Sequence, residues 1–227
     1  MRVLGGAVLA VLAAACTGRG GSGDARPQPP APERLVRPGA TPVETVVADL
    51  DGDGSDEVVV SSVSVEADAL GIATPYLEAF DVRDGRWTRV FDATGSAPPG
   101  PAVPAAMLSA EEGFVGQSVQ MLEPVDFAGD GRPELVVGIA TFGASAGPFE
   151  LWVVSMDVDA GLTTWLYRAT ARGGQVSIEG DRVRFEYGVY RRRDPGCCPS
   201  RFAVETIAWD HSEGHIDVVA RRVGRTR

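Results

Sequence analysis

The sequence contains no apolar run long enough to cross a bilayer. Its longest, Val3 to Ala15, has thirteen residues, where a spanning helix needs about 20. Histidine occurs only twice and cysteine three times in 227 residues, so base catalysis and sulfur ligation have few side chains to draw on. No phosphate-cradling glycine loop is present. No stretch holds helical spacing for long, which excludes a helical bundle. Basic charge is also short. Lysine and arginine total 21 against 31 carboxylates, a formal net charge of −10. Without a basic face of evident size, nucleic acid is not an expected partner.

What is present begins with an export signal. Met1-Arg2, the apolar run and then Cys16 give a short basic region followed by a signal core. Leu12-Ala13-Ala14-Ala15-Cys16 resembles the lipobox of bacterial lipoproteins, with one departure: leucine stands four residues before the cysteine rather than three. The resemblance implies that residues 1–15 are removed and that Cys16 is acylated and becomes the mature N-terminus. Several acyl chains on one residue anchor stably, where one chain holds only marginally. The expected address is the outer face of a cell membrane or an outer membrane, with the lipid as the membrane contact.

Residues 16–42 read as a tether. Thr17 to Pro42 holds five glycines and six prolines in 26 residues, too few apolar groups to offset chain ordering. The remaining 185 residues, 43–227, carry no second linker and suffice for one domain with its own core.

That domain reads as all-β. Short valine-rich runs punctuated by Gly, Asp and Pro predict strands at 44–48, 57–64, 76–83, 86–91, 117–124, 135–141, 149–157, 162–170, 175–179, 182–190, 201–209 and 215–222. Asp84-Gly85 and Gly180-Asp181 are tight hairpin signals, so the sheets are expected to be antiparallel meanders. Pro98 to Pro104 must be a loop, and 105–112 offers the only helical turn or two. The tryptophans Trp87, Trp152, Trp165 and Trp209 all fall in strands, where core packing is the expectation. Residues 46–60 align with 123–137 at an offset of 77. Such a period suggests stacked blade-like sheets, and the domain is too short for a full seven-bladed propeller.

Each copy of the repeat centres on an acidic loop. In the first, Asp49, Asp51, Asp53 and Glu57 occupy positions one, three, five and nine, with Gly54 at the bend and the Ser55 carbonyl within the turn. A hard cation with six to eight oxygen ligands would neutralise carboxylates so crowded. Position twelve is Val60 and strands flank the loop, so this is not an EF-hand. The pattern resembles the calcium loop of FG-GAP and VCBS-type repeats, known from integrin-like β-propellers. The resemblance covers 45–61 and 114–141 and implies calcium. The second copy keeps Asp126, Asp130, Glu134 and the Arg132 carbonyl but has Ala128 where the family offers Asp or Asn, so weaker binding is expected there.

Cys197 and Cys198 lie in the loop Asp194-Pro195-Gly196-Cys197-Cys198-Pro199-Ser200. Adjacent α-carbons stand about 3.8 Å apart, below the usual disulfide range. A strained vicinal disulfide, two packed thiols, a bond to another chain and a redox role are the alternatives. The stretch from Tyr190 to Trp209 resembles the C-terminal segment of small bacterial lipoproteins of unknown function. His211 and His215 invite a zinc reading, but the cysteines have no spacing between them and Asp210 to Gly214 reads as a turn.

The sequence therefore predicts a non-catalytic envelope lipoprotein with a calcium-stabilised β domain that binds an envelope protein or glycan. The rival class is an envelope hydrolase or accessory factor with an unrecognised cleft.

Overall fold

The computed structural model describes residues 27–66, 74–94, 114–143, 146–157, 161–195 and 198–225. The expected loop at 98–104 and helical turn at 105–112 lie outside them. So do Cys16 and the residues expected to form an export signal.

The described chain is all-β, with twelve strands in three antiparallel meanders. Sheet 1 holds β1 (Ala40–Ala48), β2 (Glu57–Ser64), β3 (Pro75–Arg83) and β4 (Arg86–Thr94) in chain order. Sheet 2 holds β5 (Phe114–Met121), β6 (Leu135–Gly143), β7 (Ala146–Asp157) and β8 (Gly161–Thr170). Sheet 3 holds β9 (Gln175–Ile178), β10 (Val183–Val189), β11 (Arg201–Asp210) and β12 (His215–Arg225). Turn chemistry sets the pairing. Asp84 and Gly85 both take positive φ, 52° and 72°, the backbone that matches the twist of a two-residue hairpin. None of the sheets closes into a barrel, and the blade-like reading holds as an open stack of three.

Burial explains the strand sequences. Sheet 2 is covered on both faces. Leu135, Val137, Trp152, Val154 and Met156 pack towards sheet 1, and Val136, Phe149, Leu151 and Val153 towards sheet 3. A strand covered on both faces needs a continuous apolar run, which Leu135–Ala140 of β6 and Leu151–Val154 of β7 supply. In β2, Val59 joins the core shared with sheet 2, while Val58 and Val60 face outward with Phe80.

That outward face is covered by residues expected to be disordered. The composition predicts a tether through Pro42, whereas the short helix α1 (Pro32–Leu35) is followed by a buried Val36 and by β1 from Ala40. Leu35, Val36 and Ala40 cover Val58, Val60 and Phe80. Pro42 is tolerated because β1 is an edge strand and its ladder shifts register between Pro42 and Glu44. Arg37 fixes this cover. It lies 3.9 Å over the Tyr76 ring and pairs with Asp92 and the fully buried Glu78, which also accepts from Arg89 at 2.6 Å.

Two polar links join the layers. The Met121 N–H donates to Glu44 Oε2 at 2.6 Å between sheets 1 and 2. Arg168 of β8 donates from Nε at 3.0 Å and from Nη2 at 2.8 Å to the buried Glu205 of β11, joining sheets 2 and 3.

The tryptophans divide. Trp152 is fully buried. Trp165 is 42% exposed and meets Trp209 edge to face at 5.7 Å, so it is a surface residue rather than the core residue expected. Tyr167 carries a buried hydroxyl with no hydrogen-bond partner, and burial, with Glu150 nearby, pushes it up to about 12. Removing an unpartnered buried hydroxyl relieves a desolvation cost. Tyr167→Phe should therefore raise stability by about 1 kcal/mol in urea denaturation, and a loss of stability would show that the hydroxyl is bonded in solution.

Candidate metal centre

The first acidic loop joins β1 to β2, and its backbone is shaped by its own carboxylates. Asp49 accepts the Gly52 N–H on Oδ1 at 2.8 Å and the Gly54 N–H on Oδ2 at 2.9 Å. Asp51 Oδ1 accepts the Asp53 N–H at 3.0 Å. Gly52 and Gly54 take φ of 75° and 85°, which a side chain would resist. Gly52 has a second reason to be glycine: a Cβ there would lie 2.9 Å from Cγ of Arg132, which reaches over from the second loop.

Asp49, Asp51 and Glu57 converge, each offering a carboxylate oxygen within 4.8 Å of the others, and together they can hold a metal ion. Glu57 is the pivot. It is fully buried, and its Oε2 accepts the Leu50 N–H at 2.8 Å and the Asp51 N–H at 3.3 Å. Its Oε1 is buried with no partner. A carboxylate oxygen removed from water and left unbonded is costly, and a cation among the three acids would satisfy it. Burial pushes Glu57 up to about 7, with Asp51 adding like charge and the Leu50 N–H acting the other way. Burial also raises Asp51.

Asp81 of β3 adds like charge that raises both Asp51 and Glu57. The loop motif gave no sign of it, because it arrives through the β2–β3 pairing from outside the repeat's spacing. Asp53, expected as a ligand, is exposed and outside the converging set. Ser55 is half-buried at the bend, where its carbonyl belongs to the loop backbone.

The second loop repeats the backbone and loses the cluster. Asp126 accepts the Gly129 N–H at 2.7 Å and the Gly131 N–H at 2.9 Å, and Gly129 and Gly131 have φ of 74° and 84°. Glu134 Oε2 accepts the Phe127 N–H at 3.0 Å, as Glu57 does from Leu50. Ala128 brings no carboxylate, and Asp130 caps the Arg132 N–H at 2.9 Å. Among the described residues only the first loop gathers three metal-ligating side chains. Asp126, Asp130, Arg132 and Glu134 thus form a turn that closes on itself.

No family model matches the chain, and no curated protein matches it. The site must be judged on its own geometry.

The remaining candidates are placed as follows. Cys198 is exposed, and Cys197 lies outside the described residues. His211 sits exposed in the β11–β12 turn, where Asp210 Oδ1 accepts the Ser212 N–H at 2.8 Å. Gly143-Ala144-Ser145-Ala146-Gly147 has the spacing of a nucleophile elbow. It connects β6 to the antiparallel β7, whereas an elbow requires a strand running into a helix.

Proposed function

We propose that the protein is a non-catalytic cell-envelope lipoprotein, anchored through an acylated Cys16, whose β domain is stabilised by calcium at the first loop and serves as a binding module for an envelope protein or glycan. The observation that carries the metal part is the buried, unpartnered Oε1 of Glu57 beside Asp49 and Asp51. An all-oxygen donor set suits a hard cation, and strands at both ends of the loop make the ion a staple for a β-turn. The lipobox resemblance and the proline-rich stretch after it support the anchor.

The test is the melting temperature of the full-length protein in detergent, in EDTA and across a calcium titration. Calcium at a hundred times its Kd adds about 2.7 kcal/mol, or roughly 5–10 °C for a domain of this size. Asp51→Ala should abolish the rise and Asp130→Ala should leave it intact. A flat response to several millimolar calcium would remove the metal from the proposal.

A further inference from the structure

Charge is divided sharply along this chain. Residues 1–160 carry nine arginines against 23 carboxylates, whereas residues 161–227 carry twelve against eight. Sheet 3 itself, residues 175–225, carries nine arginines against eight carboxylates, close to balance in an otherwise acidic protein.

The meander gathers part of this basic charge at one end, while Arg182, Arg184 and Arg222 line a cleft towards the other. Val189 pairs with Arg201, and Arg201 pairs with Arg225, so the β10–β11 connection, the start of β11 and the end of β12 share one end of sheet 3. The acidic loops lie at the opposite end, where Phe127 of the second loop borders the same cleft as Glu179, Asp181 and His211. At the basic end Arg191, Arg192, Arg193 and Arg225 are exposed and Arg201 is half-buried. Like charges directly opposite on neighbouring strands destabilise a sheet, and Arg201 faces Arg225 in this way. Such repulsion is relieved when an anion binds.

A groove of about 300 Å³ opens at this end, lined by Arg172, Gln175, Tyr187, Tyr190, Phe202 and Glu186, the last of these paired with Arg184. Phe202 is 43% exposed, and the Arg172 guanidinium lies 5.2 Å over the Tyr190 ring. Exposed aromatic faces stack on the C–H faces of pyranose rings, an amide such as Gln175 bonds hydroxyls, and the planar fork of arginine matches a carboxylate in two places.

We propose that this end of sheet 3 binds an anionic glycan chain, a polysaccharide carrying uronate carboxylates. The proposal names the ligand for the binding module described above and rests on that reading. A membrane surface fits less well. The first described residues lie at the end of sheet 1 that carries the first acidic loop, where the Gln28 carbonyl accepts from Trp87 Nε1 beside the β3–β4 turn.

Binding of oligogalacturonate to the full-length protein in detergent, measured by calorimetry with neutral malto-oligosaccharide as control, tests it. Oligogalacturonate should bind and the neutral chain should not. Arg192→Glu combined with Arg193→Glu should weaken binding at least tenfold, Phe202→Ala several-fold, and raised salt should weaken it further. Unchanged affinity in both variants overturns the proposal, as does equal binding of a single-stranded oligonucleotide of matched charge or of phosphatidylglycerol vesicles. The calcium-dependent melting rise is read on the same variants. Its retention alongside failed glycan binding sinks this inference alone, and its absence alongside intact glycan binding sinks only the metal reading.

Discussion

Arg168→Ala should destabilise the domain by about 3 kcal/mol, the lower end of what breaking a buried ion pair costs. Glu205 is fully buried between sheets 2 and 3 and takes two donor atoms of Arg168 in a fork. The Tyr187 hydroxyl donates to it at 2.7 Å and Arg221 stands 3.4 Å away, so some neutralisation survives the substitution. Replacing both Arg168 and Glu205 with leucine should cost much less than Arg168→Ala, because the penalty lies in the stranded charge and not in the lost pair. Urea denaturation of the parent and the two variants decides it. A loss below about 1 kcal/mol for Arg168→Ala would mean that Tyr187 and Arg221 suffice to hold Glu205.

In EDTA, stability should fall as pH rises from about 4.5 to about 7, and Glu134 should account for a separable share of the fall. Burial pushes this carboxyl from the ordinary 4.5 up to about 7, with Asp130 and Asp126 adding like charge and the Phe127 N–H acting the other way. Between those two pH values the folded protein holds a proton that the unfolded chain has lost. The contribution of Glu134 is therefore complete below pH 4.5 and gone above pH 7. At about 1.4 kcal/mol per pH unit the window carries about 3 kcal/mol. Glu134→Gln keeps an acceptor for the Phe127 N–H and removes the titration, so its stability should vary less with pH than that of the parent. Parallel pH profiles for the two would show that Glu134 is ionised throughout.

Most of the fold was legible because its signals are local. The strand at 57–64 was bounded by an acidic loop before it and polar residues after it, and β2 has those limits. Asp84-Gly85 announced its hairpin through a backbone that few residue pairs adopt. The first loop was legible for the same reason, since Asp49, Asp51 and Glu57 lie within nine residues. What was hidden depends on distant pairing. Leu35 and Val36 cover sheet 1 from inside a proline-rich stretch whose composition argues against order. Asp81 adds its charge to the acidic cluster from the next strand, and Arg168 reaches Glu205 across 37 residues. The basic end was hidden because Arg201 and Arg225 come opposite each other only once the meander folds.

The two loops share a backbone held by Asp49 and Asp126 through matching bonds to glycine N–H groups, while only one of them keeps a converging set of acids. Shape and chemistry are thus separable in these two loops. The turn that positions a strand holds without a converging set of acids, so one loop is plain architecture while the other is able to respond to its surroundings.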